Sequence, residues 1–248
     1  AAPDYWGRGT DPDGELSERY WTSARGALFR RALEDLAGPR GTGAGRRLVD
    51  LGGGVGYFAK CALDAGWDAY SVDPSPLASA AATARLGQGR SLVSAPAAFE
   101  GTCELVTLWC VIAHLPDPRK VLANAARLLS PTGRLFLTTP NFSFQRHYAA
   151  ALARLARPID FAGHDHLLHF TPESVRRVMA AAGLRISRFT FAGITEDCLA
   201  NRRLATWLVP AKRAWNHAAH AGSRLGLPLL MSDLQVIGGR ADPLPPEC

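Results

Sequence analysis

LVDLGGGVG, residues 48–56, is the stretch that decides the fold of this chain. It begins as a short apolar strand pattern, and its last five residues include four glycines. A helical pattern follows from about Val55 to Ala65. Glycine permits a tight turn, and because it has no Cβ it lets a ligand approach the backbone closely. A strand that enters a helix through such a turn predicts a ligand site at the carboxyl edge of a parallel sheet.

The spacing of the glycines indicates which ligand the turn suits. Dinucleotide sites use G-x-G-x-x-G, but counting from Gly52 the third glycine position holds Tyr57, and the spacing here is G-x-G-x-G ending at Gly56. Asp50 stands two residues before the first glycine. A carboxylate there repels a pyrophosphate but attracts the sulfonium and ammonium groups of S-adenosylmethionine. The segment therefore favours S-adenosylmethionine over NAD or FAD.

An acidic residue also ends the next predicted strand. Asp73 follows the first glycine by roughly 20 residues, the distance at which an acid accepts hydrogen bonds from ribose hydroxyls. The alternative role is local, since Asp commonly forms a turn or caps a helix beside a proline such as Pro74. We favour the ribose role and assign Pro74 and Ser75 to the same cofactor-binding turn.

Strand and helix patterns alternate along the rest of the chain. Strands are predicted at 46–51, 67–73, 90–94, 104–110, 134–140, 184–193 and 234–239, helices at 16–37, 55–65, 77–86, 118–129, 171–183 and 196–226, and a turn at 130–133. This alternation predicts an α/β fold with a doubly wound sheet. We divide the chain into an N-terminal helical lid (1–44), a cofactor-binding core (45–193) and a helical cap with the last strand (194–248).

Composition narrows the class of protein further. The 248 residues suit one α/β domain with additions, and the net charge of +6 comes from scattered arginines rather than a basic block. We therefore expect no nucleic-acid partner. The five cysteines show no metal or redox spacing, which favours reduced thiols in the cytoplasm. No apolar stretch reaches the roughly 20 residues of a membrane span, so no stable membrane insertion is expected.

Three ordered segments resemble class I S-adenosylmethionine-dependent methyltransferases. LVDLGGGVGYFAKCALDAGWDAYSVDPS (48–75) is similar to the cofactor-binding half of that family, and ELVTLWCVIAHLPDPRKVLANAARLLSPTGRLFLTTPN (104–141) to its fourth and fifth strands. HLLHFTPESVRRVMAAAGL (166–184) resembles the subgroup that contains ubiquinone-pathway O-methyltransferases and bacterial natural-product methyltransferases. The resemblance implies a Rossmann-like, seven-stranded sheet whose last strand is antiparallel and is preceded by a helical insertion.

The same resemblance implies roles for particular residues. Asp50, Gly52 and Gly54 match the motif that holds the amino-acid part of S-adenosylmethionine. Trp109 matches a residue that packs on the cofactor, and Arg25 sits where relatives place an arginine on its carboxylate. The full predicted cofactor set is Arg25, Asp50, Gly52, Gly53, Gly54, Gly56, Asp73, Pro74, Ser75, Trp109 and Cys110. The chain departs from the family at Ser94-Ala95-Pro96, where relatives carry an adenine-binding acid, and at Ala113-His114, where they carry Glu-His.

Methyl transfer to a hydroxyl or amine also calls for a base, and histidine suits that role near neutral pH. We predict His166 first and His114 second. The acceptor is expected to be a small molecule of secondary metabolism or quinone-type biosynthesis, in a pocket that includes Phe142 and Phe144. No metal is predicted, because the His164–His169 cluster fits no standard zinc spacing. The product would be S-adenosylhomocysteine, and the oligomeric state stays open.

Three other functions remain as alternatives. One is a nicotinamide-dependent oxidoreductase, which Tyr57 at the third glycine position disfavours. Another is a methyltransferase acting on RNA or protein, which the scattered charge disfavours. The last is a non-catalytic binding module, which the intact glycines disfavour.

Overall fold

A computed structural model describes residues 21–22, 25–37, 43–154, 166–190, 214, 217–218, 221–222 and 233–241. Its helices are α1 (Arg25–Ala37), α2 (Tyr57–Asp64), α3 (Pro76–Leu86), α4 (Pro118–Leu128), α5 (Phe142–Ala153) and α6 (Pro172–Ala181). Its strands are β1 (Arg47–Leu51), β2 (Asp68–Val72), β3 (Ser91–Leu92), β4 (Cys103–Trp109), β5 (Leu129–Pro140), β6 (Leu184–Thr190) and β7 (Asp233–Arg240). Single 3-10 turns lie at Ala97–Phe99 and Ile112–His114.

The seven strands form one sheet in the order β3-β2-β1-β4-β5-β7-β6. Strands β1 to β5 pair in parallel, and β7 is antiparallel to both β5 and β6. This confirms the predicted α/β sheet with its antiparallel last strand. The strand order reverses between β1 and β4, and in such sheets the ligand crevice lies beyond the carboxyl ends of the strands at that point.

Hydrophobic layers cover both faces of the sheet. One layer joins Leu137 and Leu108 of the sheet to Leu122 of α4 and Met179 of α6. The other packs α1 and α2 on the opposite face. Its buried members are Phe29, Ala32, Leu33, Leu36, Ala37, Leu48, Phe58, Ala62, Trp67, Ala69, Leu105, Phe136 and Ile237. Burial on both faces explains why the central strands are nearly continuous apolar runs.

Two local predictions were wrong. Residues 130–133 were predicted as a turn, but the structure includes them in β5, with a shift in register between the Leu129–Cys103 and Arg134–Leu105 pairs. A Cβ on Gly133 would lie 2.5 Å from the Cys103 carbonyl oxygen, so a bare backbone packs here against β4. Helix α2 begins at Tyr57 rather than about Val55, because Gly56, with φ 83°, caps it in the left-handed conformation.

One helix was missed, and one predicted cap is confirmed. Helix α5 follows Asn141, whose side-chain oxygen accepts a hydrogen bond from the Ser143 N–H at 3.1 Å. Thr171 caps α6, and Ser174 returns the bond in a capping box.

Parts of the remaining predictions fall outside the described residues. These parts are residues 16–20 and 23–24 of the first helix, strand residues 191–193 and most of 196–226. The division of the chain into three segments stays a prediction. In the ranges that the structure describes, no helix is both long and apolar enough to cross a bilayer.

Candidate functional site

The glycine turn after β1 is shaped by left-handed backbone and by its contacts with β2. Gly52, Gly54 and Gly56 have φ values of 71°, 54° and 83°. The Gly52 N–H donates to the Val72 carbonyl oxygen at 2.7 Å, which fastens the turn to β2. A Cβ on Gly53 would lie 2.4 Å from the Ser71 Oγ and 2.8 Å from the Asp50 Oδ2. Any side chain at Gly53 would therefore displace the turn.

Asp50 lies beneath this turn and is 2 % exposed. The Thr107 hydroxyl donates to its Oδ1 at 2.7 Å. Burial raises the pKa of Asp50 from 3.8 to about 7; the Thr107 hydrogen bond opposes this, and the nearby Asp73 charge adds to it. The ionised carboxylate is thus costly here, and a cationic ligand would favour it.

Asp73 follows β2 and holds the turn through both of its oxygens. Its Oδ2 accepts the Gly54 N–H at 3.0 Å, and its Oδ1 accepts the Ser75 N–H at 2.9 Å. Ser75 in turn caps α3, whose first residue is Pro76. The local turn-forming role is therefore present. Each carboxylate oxygen accepts more than one hydrogen bond, so it retains capacity for a ribose hydroxyl.

Aromatic rings border the turn. Trp109 at the end of β4 lies 4.8 Å from Phe29, 5.0 Å from Phe58 and 4.8 Å from Phe136, measured between ring centroids. Trp21 stacks on Tyr57 at 5.4 Å. A cavity of about 70 Å³ is lined by Trp21, Phe29, Asp50, Gly52, Gly53, Val55, Tyr57, Phe58 and Trp109. Small-molecule pockets usually span roughly 300–1,000 Å³, so this cavity by itself is smaller than a typical ligand pocket.

Arg25 and Cys110 lie close together beside Trp109. The Arg25 Nη2 lies 3.6 Å from the Cys110 Sγ, and its guanidinium carbon lies 5.8 Å from the Trp109 ring centroid. Cys110 has φ 56°, which is uncommon for a residue with a side chain. The Thr138 hydroxyl oxygen accepts the Cys110 N–H at 2.9 Å and holds this conformation. Strained backbone of this kind is often found at functional sites.

The two predicted histidines come together beside the end of β4. His114 lies on the 3-10 turn after that strand, and its ring centroid is 4.7 Å from that of His166. The Leu167 and Leu168 N–H groups both donate to the Ala113 carbonyl oxygen, at 2.8 and 3.0 Å, which docks the His166 segment on the turn.

A third histidine lies near the His114–His166 pair. His169 lies 4.8 Å from Phe142, a predicted pocket residue at the start of α5. His164 and Asp165 lie outside the described residues, and within those residues no group of three His, Cys, Asp or Glu side chains is placed to hold a metal ion.

Comparison with known proteins shows the family to which the chain belongs. A family model described as a methyltransferase domain matches residues 20–188. The ubiquinone biosynthesis O-methyltransferase of Methylococcus capsulatus is 30% identical over 187 residues, covering 71% of this chain and 76% of that protein. The corresponding protein of Thiobacillus denitrificans is 30% identical over 157 residues, covering 59% and 68%. This chain belongs to the methyltransferase family.

Solved structures share the fold. The methyltransferase superposes on magnesium protoporphyrin IX methyltransferase from Synechocystis with bound S-adenosylhomocysteine, with a TM-score of 0.55 at 16% identity over 88% of this chain and 84% of the other. A Haloferax volcanii complex of the Trm112 methyltransferase activator and a putative methyltransferase gives 0.60 at 18% identity, covering 97% and 98%. These likenesses support the Rossmann-like class.

The magnesium protoporphyrin IX methyltransferase structure holds S-adenosylhomocysteine, and the residues at the turn of this chain suit S-adenosylmethionine. Two carboxylates, Asp50 and Asp73, border a backbone that carries no side chains at Gly52 and Gly53. That arrangement favours a cationic ligand with ribose hydroxyls over a pyrophosphate.

Several residues of the site were not assigned to it from the sequence. Tyr57 was used only to disfavour a dinucleotide, yet it lines the cavity with Phe58. Their position as the first two residues of α2, directly after the glycine turn, was the available signal. Thr107 and Thr138 were missed because only strand pairing brings them beside Asp50 and Cys110.

Proposed function

We propose that this enzyme transfers the methyl group of S-adenosylmethionine to an oxygen or nitrogen of a small molecule, in quinone-type biosynthesis or secondary metabolism. The observation that carries the proposal is the His114–His166 ring pair beside the carboxyl end of β4. His114 lies on the turn that follows this strand, and His166 belongs to the segment that docks on the turn. The relatives named as ubiquinone biosynthesis O-methyltransferases favour oxygen as the acceptor atom.

Each residue of the predicted cofactor set has a proposed role. The sulfonium supplies a methyl carbon already activated for displacement, so the protein's task is chiefly to position the acceptor. Asp50 attracts the cationic end of the cofactor, and Arg25 its carboxylate. Asp73 accepts the ribose hydroxyls, while Trp109 packs on the cofactor. The backbone around the cofactor comes from Gly52, Gly53, Gly54, Gly56, Pro74, Ser75 and Cys110.

A hydroxyl acceptor must lose its proton as the methyl carbon is attacked. We assign His166 as the base and His114 as its partner, because imidazole accepts a proton near neutral pH. Phe142 lies beside His169 at the same end of the sheet, where an aromatic acceptor would contact it. Leu167 and Leu168 are 64 % and 37 % exposed, which gives this edge an apolar surface.

Variants His166→Ala, His114→Ala and the double variant test the base. Formation of S-adenosylhomocysteine would be followed in single turnover with a panel of hydroxylated aromatic acceptors. We expect the double variant to lose roughly 100-fold or more in rate while binding S-adenosylhomocysteine normally. His147→Ala, an exposed histidine on α5, is the control. Near-normal turnover in the double variant would show that neither histidine is the base.

The remaining proposals concern the compartment and the partners of the enzyme. We propose a cytoplasmic enzyme without a nucleic-acid partner or stable membrane insertion. The scattered arginines and the free thiols of Cys61, Cys103 and Cys110 support this. Cell fractionation would test the compartment, and retention on RNA at physiological salt would contradict the choice of a small acceptor.

A further inference from the structure

A second concave surface lies at the other end of the sheet, and we call it the arginine groove. It has a volume of about 510 Å³ and is lined by four arginines: Arg134 of β5, Arg185 and Arg188 of β6, and Arg240 of β7. The other lining residues are Pro131, Thr132, Gly133, Ser187, Ile237, Gly238 and Gly239. No acidic residue is among these described lining residues.

Strand register explains how the groove forms. Leu135 pairs with Gly238, so Arg134 lies across from Gly239, and Gly239 pairs with Arg185 of β6. The middle strand thus has no side chain between the two arginines, which makes a trough. A Cβ on Gly239 would lie 3.2 Å from the Gly133 carbonyl oxygen.

A break in the β6 register adds a third arginine to the same face. Pairing shifts between Ile186 and Arg188, so that Arg188 lies opposite Ile237. The Ser187 hydroxyl donates to the Ile237 carbonyl oxygen at 2.9 Å and fixes this irregularity. Without the shift, alternation along the strand would direct Arg185 and Arg188 to opposite faces.

The positive charge of the groove is not neutralised by the described part of the chain. Arg134, Arg185 and Arg188 are exposed. The ion pairs found among described residues involve Arg47, Lys60, Arg90, Arg127 and Arg177, none of which lines the groove. The buried Nε of Arg240 has no hydrogen-bond acceptor within the described ranges. Four guanidinium groups that line one groove without a carboxylate among its lining residues repel one another, and an anion would reduce that repulsion.

We propose that the arginine groove binds a small anion that carries more than one phosphate group. Guanidinium groups bind phosphate through paired, charge-assisted hydrogen bonds. Arg134 and Arg185 lie two strands apart, roughly 10 Å, so a ligand that engages both must extend further than a single phosphate. The groove is concave and has the volume of a small-molecule site, so it suits a small ligand better than a partner with a flat surface.

The groove is separate from the methyl-transfer site. Arg185 is the second residue of β6, and Arg134 pairs with Leu105 near the amino-terminal end of β4. Thr138, which holds Cys110, lies near the carboxyl end of β5. Occupancy of the groove therefore leaves the cofactor turn free. This assignment does not depend on which acceptor the enzyme methylates.

Calorimetry with inorganic pyrophosphate and tripolyphosphate, at constant ionic strength and with the full chain, tests the proposal. We expect saturable binding that weakens roughly tenfold or more in Arg134→Gln/Arg185→Gln. The matched control is Arg31→Gln/Arg119→Gln, which removes the same charge from exposed positions on α1 and α4 and should bind as the parent does. Unchanged affinity for S-adenosylhomocysteine would show that both variants are folded.

Three results would overturn the proposal. The first is no measurable binding of either anion by the parent chain. The second is an equal loss in the groove variant and the control, which would indicate attraction to net charge alone. The third is arginine-dependent binding to phosphatidylglycerol vesicles without binding of either anion, which would make the groove a lipid-contact surface instead.

Discussion

At the scale of single residues, Asp50 combines burial with an ionisable carboxyl group at the proposed cofactor site. Its pKa of about 7, against an ordinary 3.8, means that between those pH values the folded chain holds a proton that the unfolded chain has lost. The free energy of unfolding of the cofactor-free protein should therefore fall as pH rises from about 4 to about 7. Asp50→Asn should remove this contribution, which denaturant titrations at several pH values would measure.

The same residue predicts how cofactor affinity depends on pH. A cationic ligand favours the carboxylate, so binding below about pH 7 must release the Asp50 proton. Affinity for S-adenosylmethionine should rise as pH increases toward 7 and then level off. Calorimetry in buffers of different ionisation enthalpy would detect the released proton. Asp50→Asn should bind more weakly with a flatter profile; an unchanged slope would assign the proton to another group.

At the scale of elements, the glycine turn gives a sharper test than its sequence motif. Gly53→Ala would place a Cβ against the Ser71 Oγ and the Asp50 Oδ2, so we expect cofactor affinity to fall roughly tenfold or more, as measured by calorimetry. Gly101→Ala is the control, because its φ of 66° adds strain of about 1–2 kcal/mol but no atom lies within 4 Å.

A second substitution separates crowding from a general loss of the fold. The Ser71 Oγ is buried without a hydrogen-bond partner among the described residues, so Ser71→Ala alone should cost little stability. Combined with Gly53→Ala, it removes the nearer of the two contacts and should recover part of the cofactor affinity. If the double variant recovers no cofactor affinity, the contact of the new Cβ with Asp50, rather than with Ser71, is what lowers the affinity.

Elements defined by local patterns were predictable, and those that depend on distant contacts were not. The parallel strands follow from their apolar runs, and Thr171 identified the start of α6. Helix α5 has no comparable local pattern. It is positioned by Asn141 and by the Phe142 N–H, which donates to the Phe170 carbonyl oxygen at 2.8 Å. Residues 130–133 look like a turn, but pairing with β4 keeps them in the strand.

At the scale of the whole molecule, the sheet separates two kinds of charge. The carboxyl ends of β1 and β2 lead to Asp50 and Asp73, whereas the opposite end of the sheet carries the arginine groove. The acidic end was evident in the sequence, because its residues lie close together along the chain. The groove was not, since its arginines are spread over 107 positions between Arg134 and Arg240 and meet only through the β5-β7-β6 pairing.

This separation determines how the choice between cofactors must be tested. S-adenosylhomocysteine at about 100 times its Kd should stabilise the folded chain by about 2.7 kcal/mol, seen as a rise in Tm. NADH should give no stabilisation at the glycine turn, because its pyrophosphate would face Asp50 and Asp73. The arginine groove, however, would attract that same pyrophosphate. The two ligands should therefore be compared in the Arg134→Gln/Arg185→Gln variant. If NADH raised the Tm of that variant as much as S-adenosylhomocysteine does, the cofactor preference assigned to the turn would be contradicted.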